Sequence, residues 1–254
     1  MELKGKVAVV IGASRGCGKH FAIGLAREGA AVVVAARSVE RGTLPGTIGE
    51  TVDIIRREGG KAHPVQCDAA NTQDVHKTIG EAVYHFGRLD CLVYNAALYT
   101  RRPFLNVTPE MFDDYIAVNV RGPLFAAQAA LPHMIAQGGG SIVNITSAAS
   151  TKTTMPHLVM YSITKAALDR LSTWLANEYR EHNIAVNSLS PGPVVTEALE
   201  AELPADYDWQ HEKYGWKPAT PEYLGPPIVH LAKQDAKGIT GQVVRVPDFG
   251  KSWP

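Results

Sequence analysis

The sequence has little of several things, and each shortage narrows what it can do. It holds three cysteines in 254 residues, Cys17, Cys67 and Cys91, with no CxxC pair. That excludes a disulfide framework and a cysteine zinc site. Buried thiols are the expected state, with Cys17, inside a glycine loop, the one to watch. There is no excess charge of either sign: 25 Lys and Arg face 25 Asp and Glu. With neither a basic excess nor a recognisable motif, no nucleic-acid partner is expected, and nothing steers the chain to an acidic membrane surface. No apolar run is long enough to span a bilayer. Met1 to Lys6 leads straight into an apolar strand, without a basic leader and cleavage site. The cytoplasm is the expected location, and a chain with little self-repulsion is free to associate. Internal repeats and low-complexity tracts are also missing.

What is present is an ordinary globular composition, 45% apolar and 20% charged, in a length that suits one α/β domain over residues 1–254. Apolar runs at Val7–Ile11, Ala31–Ala36, His63–Cys67, Leu89–Tyr94, Ser141–Thr146 and Ile184–Leu189 read as strands. Helical patterns cover Lys19–Glu28, Val52–Glu58, Thr72–Phe86, Pro109–Ala136 and Tyr161–His182. Continuous apolar strands alternating with helices predict a doubly wound parallel sheet covered on both faces. Ser38–Gly49 reads as a surface loop. Pro191–Pro221 is long, irregular and carries Tyr207, Trp209, Tyr214 and Trp216. A loop of that length inside a compact domain suggests a substrate lid, against the plainer reading of aromatics capping the core.

The first strand runs into Gly12-Ala-Ser-Arg-Gly16-Cys-Gly18 and then a helix. Glycines here let the backbone turn tightly and approach a pyrophosphate, which the helix N-terminus favours electrostatically. The alternative is a plain strand-to-helix turn. The second strand ends in Ala36-Arg37-Ser38. An acidic residue there would take the ribose 2′-hydroxyl of NAD, whereas an arginine accepts a 2′-phosphate. Arg37, with Arg15 in the nearby loop, can fork around one phosphate. The predicted cofactor is therefore NADP(H), with Ser14 also in the binding loop.

Tyr161 and Lys165 are four residues apart on a predicted helix and share a face. An ammonium near a phenol favours phenolate, which moves tyrosine toward general acid/base work. Alone, such a pair is usually a surface contact. Here Ser147 follows an apolar strand fourteen residues before Tyr161, Asn119 sits in Asn-Val-Arg-Gly, Tyr94-Asn95-Ala96-Ala97 ends a strand, and Pro191-Gly192-Pro193-Val194-Val-Thr196 follows another. With these ordered motifs the sequence resembles the short-chain dehydrogenase/reductase family over nearly its whole length.

The resemblance implies a single Rossmann-type domain and an oxidoreductase that interconverts a carbonyl compound and an alcohol. It implies Tyr161 as proton donor and acceptor, and Ser147 as hydrogen-bond partner of the substrate oxygen. Lys165 would hold the nicotinamide ribose and lower the tyrosine pKa. Asn119 would anchor a water in a proton relay. Gly12, Gly16 and Gly18 would hold the cofactor, with Asp68 near its adenine, Asn95 beside its ribose, and Pro191, Gly192, Val194 and Thr196 around its nicotinamide end. No metal is required for this chemistry. Dimers or tetramers are common in the family, so a homo-oligomer is expected.

Three departures stand out. Ile11 replaces the usual threonine before the first loop glycine, so a hydroxyl link between two turns is lost or replaced. The NNAG motif reads Tyr94-Asn95-Ala96-Ala97. The usual glycine pair near the end is Asp248-Phe249. Two other functions fit a glycine loop: an NADPH sensor without catalysis, which would lose part of the Asn119, Ser147, Tyr161, Lys165 set, and a methyltransferase, which would need neither Arg37 nor the Tyr161–Lys165 pair. For the substrate, the apolar segment Thr153–Met160 and the aromatic loop suggest a bulky apolar or aromatic carbonyl compound. His157, Pro193 and Trp209 are the candidate contacts, although a histidine at a pocket rim is more often a packing residue.

Overall fold

The computed structural model describes residues 1–202 and 219–254. Seven parallel strands form one sheet in the order β3-β2-β1-β4-β5-β6-β7. The strands are β1 Val7–Ile11, β2 Ala31–Ala36, β3 Lys61–Gln66, β4 Cys91–Tyr94, β5 Gly140–Ile145, β6 Ile184–Ser190 and β7 Val243–Arg245. Between them run α1 Gly16–Arg27, α2 Ile48–Arg57, α3 Thr72–Phe86, α4 Pro109–Ile116, α5 Gly122–Ala136, α6 Val159–Glu178, α7 Glu197–Glu202 and α8 Gly225–Ala232. β1, β2, β4 and β6 are buried almost throughout. That is what a sheet covered on both faces requires of its strands, and two apolar clusters fill the space on its two sides.

Local signals explain most boundaries. Thr47 caps α2 in a reciprocal capping box with Glu50. The Asn71 side chain accepts from the Gln73 and Asp74 amides at the start of α3, which ends on left-handed Gly87. The helix expected as one piece over Pro109–Ala136 is interrupted. A π-helical turn, Ala117–Arg121, separates α4 from α5. Pro123 has no N–H to give to the carbonyl of Asn119 four residues back, so the α-helical ladder breaks there. Strand β7 and the short helices α7, inside the stretch expected to be irregular, and α8 are not read from the sequence; for β7, three strand residues with one buried side chain leave little periodic signal.

The strand order reverses between β1 and β4, whose neighbours lead away on opposite sides. A crevice beyond the carboxyl ends of the strands is the ordinary binding place in such sheets. The turns after β1, β4, β5 and β6 all open at that end. Among the described residues no helix is long and apolar enough to cross a membrane.

Candidate active site

The turn after β1 is shaped by what it packs against. Gly12 and Gly16 have φ of +89° and +54°, a region that favours glycine. A Cβ on Gly12 would lie 2.5 Å from the Ala96 nitrogen, and one on Gly18 2.0 Å from the Gly12 carbonyl oxygen. The turn after β4 is thus pressed against the glycine loop. Asn95 Nδ2 donates to the Gly12 carbonyl at 2.8 Å, and the Asn95 and Ala96 amides both donate to the Ile11 carbonyl at 2.9 Å. These bonds replace the link that Ile11 cannot make with a side chain.

The amide of Gly16 opens α1 and donates to Glu197 Oε2 at 2.8 Å. Lys19 Nζ lies 3.6 Å from the other carboxylate oxygen. A carboxylate from the segment after β6 therefore stands where a helix N-terminus attracts anions. Ser14 is buried beside it. Arg15 Nη2 donates to Ser38 Oγ at 2.9 Å and to the Gly46 carbonyl at 3.0 Å, while its Nε–H is buried without an acceptor among the described residues. Arg37, at the end of β2, is exposed. Asp68, just past β3, accepts from the Ala70 amide at 3.0 Å. A Cβ-free cradle, an anion-seeking helix end and a buried guanidinium donor in want of an acceptor fit a phosphorylated dinucleotide.

Beyond β5, Ser147 begins a short 3-10 turn and accepts from the Ala149 amide at 3.2 Å. The first turns of α6 bring Tyr161 into hydrogen bonding with Ser147. Lys165 Nζ lies 5.5 Å from the centre of the Tyr161 ring and donates to the Ile145 carbonyl at 2.6 Å. Ser147, Tyr161 and Lys165 are thus brought together. The titration behaviour differs from the sequence expectation. Burial raises the Tyr161 phenol above its ordinary 10, with the Ser147 hydrogen bond acting against it. Burial also lowers Lys165 to about 8, against the pull of Asp169 one turn on. For Tyr161 the largest cause is burial of the phenol itself, with Tyr99, Cys17 and Tyr115 adding to it.

Asn119 lies in the π-helical turn and is buried. Its Oδ1 accepts from the Leu98 amide at 2.7 Å, and its Nδ2 donates to the Leu98 carbonyl at 3.1 Å and to Thr164 Oγ1 at 3.0 Å. Both amide hydrogens are spent on protein acceptors, so the side chain clamps the strand-β4 loop to α6.

The segment after β6 forms the remaining wall. Gly192 has φ +76°. The Val195 amide donates to the Ala219 carbonyl at 3.2 Å and the Ala219 amide to the Pro193 carbonyl at 3.0 Å. Tyr223 donates its hydroxyl to the Pro191 carbonyl. Val194 is buried and Pro193 exposed, while a Cβ on Gly16 would meet Thr196 at an ordinary van der Waals distance. Trp209, and with it Tyr207, Tyr214 and Trp216, lies outside the described residues. His157 is exposed with φ +63°, and its carbonyl accepts from the Arg102 amide at 2.7 Å. Thr151 to His157 are exposed as a run, so only Leu158 and Met160 of the expected apolar lining are buried.

Residues 6–206 match the short chain dehydrogenase family. The chain belongs to the short-chain dehydrogenase/reductase family. An uncharacterized oxidoreductase of Methylorubrum extorquens is 39% identical over 96% of each chain. A hydroxynaphthalene reductase-like protein of Metarhizium majus is 32% identical over 96% of this chain and 94% of its own. Among solved structures, a 7α-hydroxysteroid dehydrogenase in complex with NADH and 7-oxo glycochenodeoxycholic acid aligns with TM-score 0.84 at 28% identity, over 96% of this chain and 93% of that one. A putative NAD(P)-dependent gluconate 5-dehydrogenase from Beutenbergia cavernae, with NADP bound, aligns with TM-score 0.84 at 32% identity, over 96% of each chain.

In this short-chain dehydrogenase/reductase three residues near the site were not singled out by the sequence. Glu197 was passed over because a carboxylate beside a phosphate loop has no motif. Tyr99 sets its ring edge-on to Tyr161, with centres 5.1 Å apart and planes at 87°. Tyr94, read only as a departure from the family motif, is wholly buried and donates its hydroxyl to the Val118 carbonyl at 2.7 Å.

Proposed function

We propose that this oxidoreductase interconverts a ketone or aldehyde and an alcohol with NADP(H), as a cytoplasmic enzyme of the carbonyl reductase or alcohol dehydrogenase type. Tyr161 serves as general acid and base. The observation that carries the reading is the convergence of Tyr161 on Ser147, with Lys165 beneath its ring. The cofactor, when bound, supplies or accepts the hydride at carbon. The chain handles the oxygen. Ser147 donates a hydrogen bond to the substrate oxygen, and Tyr161 gives that oxygen a proton in reduction and takes it in oxidation. A phenol kept protonated by burial suits the reducing direction. Lys165 holds the nicotinamide ribose and biases the phenol when charged, and Asn119 fixes the distance between the β4 loop and α6. Gly12, Gly16, Gly18, Asn95, Asp68 and the Pro191–Thr196 wall hold the cofactor.

NADP(H) is favoured by Arg15 and Arg37 and by the lack of a carboxylate after β2. The related structures hold NADH in one case and NADP in another, so the preference rests on this chain's own arginines. A bulky apolar or aromatic carbonyl substrate is favoured by Tyr99 against Tyr161 and by the aromatic residues of the loop that includes Trp209. Among the similar proteins, the hydroxynaphthalene and oxo-steroid names agree with this reading and the gluconate name does not, so the substrate class rests on this chain's own aromatic residues. A homo-oligomer, dimer or tetramer, is favoured by α5 and α6. They leave Leu124, Ile163 and Trp174 at 40%, 50% and 59% exposure. Sedimentation at micromolar concentration reads that state directly, and a monomer there would refute it.

The deciding experiment pairs steady-state reduction of apolar aromatic ketones by NADPH with cofactor binding by fluorescence, for the native chain and Tyr161→Phe. The ring remains and the hydroxyl goes, so binding should survive while turnover falls by at least about 10²–10⁴-fold. Near-native turnover would move the proton chemistry to another group.

A further inference from the structure

Far from the reaction crevice, three side chains with no part in the chemistry above converge on one point. His63 lies on β3, the edge strand of the sheet. Glu81 and His85 are one turn apart on α3, the helix that packs against that edge. Glu81 Oε2 is 2.9 Å from His85 Nε2 and 3.5 Å from His63 Nε2. One donor atom from each residue lies within 4.8 Å of the other two. Among the described residues, this is the one place where three metal-binding side chains gather so closely.

The spacing is that of ligands around one small cation. Four-coordinate zinc holds imidazole nitrogen and carboxylate oxygen at about 2.0–2.2 Å, which puts neighbouring donors about 3.3–3.5 Å apart in a tetrahedron. The His63–Glu81 separation of 3.5 Å matches that value, and the His85–Glu81 separation of 2.9 Å is a hydrogen-bond distance that would lengthen by about 0.5 Å around an ion. Residues at i and i+4 of a helix present side chains to one side, and the strand supplies the third donor from across the contact. The two imidazoles lie with centres 3.7 Å apart and planes tilted by 34°, closer than the roughly 5 Å that two imidazoles on one tetrahedral zinc would take, so binding requires the exposed His85 ring to swing away from His63. His85 and Glu81 remain partly open to solvent, which leaves room for a water as fourth ligand.

We propose that His63, Glu81 and His85 form a binding site for a zinc-class divalent cation, which ties edge strand β3 to helix α3. The donor set, two imidazoles and one carboxylate, suits zinc and disfavours magnesium, which takes oxygen ligands in an octahedron. The role is structural. The site contains none of the residues assigned to hydride or proton transfer, so it stands or falls apart from the proposed activity.

The test uses the full, untagged chain after treatment with a chelator. Zn²⁺ is titrated calorimetrically, Co²⁺ is used as an optical probe, and Mg²⁺ as control. One equivalent of Zn²⁺ should bind, Co²⁺ should develop the visible absorption of a four-coordinate ion, and Mg²⁺ should do neither. Zinc at a hundredfold excess over its Kd should raise Tm by roughly 5 °C or more. His85→Ala and His63→Ala should each weaken zinc binding at least tenfold, as should Glu81→Gln, a mild replacement should an alanine variant fail to fold. NADPH binding and turnover should stay as in the native chain. Zinc binding that is absent, or that persists unchanged in His85→Ala and Glu81→Gln, would leave the cluster a hydrogen-bonded ion pair and overturn the proposal.

Discussion

The hydroxyl of Tyr94, at the end of β4, donates to the carbonyl of Val118 at 2.7 Å, inside the π-helical turn that carries Asn119. The same hydroxyl lies where a side chain on Gly122 would have to go, 2.0 Å from the position of its Cβ. Tyrosine here therefore both anchors the turn and demands glycine opposite it. Tyr94→Phe should leave the Val118 carbonyl buried without its donor, at a cost of about 1–3 kcal/mol. The Asn119 clamp hangs from that turn, so turnover should fall several-fold while NADPH affinity holds. Chemical denaturation and kcat measured on the same preparation check both parts. Unchanged stability would mean that the turn stands without the tyrosine.

Glu197 holds the Gly16 amide that a cofactor phosphate would use. Two anions compete for one helix end, so removing the carboxylate's charge should favour the cofactor. Glu197→Gln should tighten NADPH binding by about 2- to 5-fold, the range of a helix-end charge effect of up to ~1 kcal/mol. Fluorescence titration at low and moderate salt reads this out, with the gain shrinking as salt rises. Weaker binding would show instead that Glu197 shapes the wall after β6.

Arg15 keeps one N–H buried without an acceptor among the described residues while its other end is fixed on Ser38 and Gly46. A 2′-phosphate would complete it, with the exposed Arg37 closing from outside. NADPH should bind about 10- to 100-fold more tightly than NADH, the worth of one or two charge-assisted hydrogen bonds. Arg37→Asp should erase or reverse the preference. Equal affinities in the native chain would remove the argument.

The parts legible in the sequence are those where one chemical requirement fixes the residue. Continuous apolar strands told of a sheet covered on both sides, and the strand–glycine–helix order marked the phosphate end. Ser147, Tyr161 and Lys165 were legible through their spacing, and the structure brings them together. What stayed hidden depends on contacts between distant segments. Glu197 meets Gly16 across 181 positions. His63 meets Glu81 and His85 only because α3 returns along β3. The break at Asn119 was written in Pro123, but the surrounding apolar pattern ran through it. Burial of Tyr161 and Lys165, which raises the one and lowers the other, is set by the whole domain and cannot be seen in a four-residue motif.

That burial gives the last prediction its sign. Lys165 is almost wholly buried and is held at about 8, against 10.5 for an ordinary lysine. Between those values the unfolded chain binds more protons than the folded one, so stability rises as pH rises through the window. Below about 8 the folded protein carries the full cost of a charged amine in the interior, ~3 kcal/mol from a shift of this size. Lys165→Met keeps the length of the side chain and removes the charge. At pH 7 it should raise stability by about 1–3 kcal/mol, the lower end reflecting the lost bond to the Ile145 carbonyl. The advantage should fade between pH 8 and 10.5, where the native lysine gives up its proton in the folded state. Turnover should nearly vanish at every pH, and NADPH should bind less tightly, because the same amine is assigned to the ribose and to the phenol. Urea denaturation of both chains at pH 7, 8.5 and 10, beside their steady-state rates, separates the two effects. A variant that loses stability at pH 7 would show that Lys165 is held charged by partners strong enough to offset its burial. One that is stabilised yet inactive would identify the lysine as a residue retained at the fold's expense for catalysis.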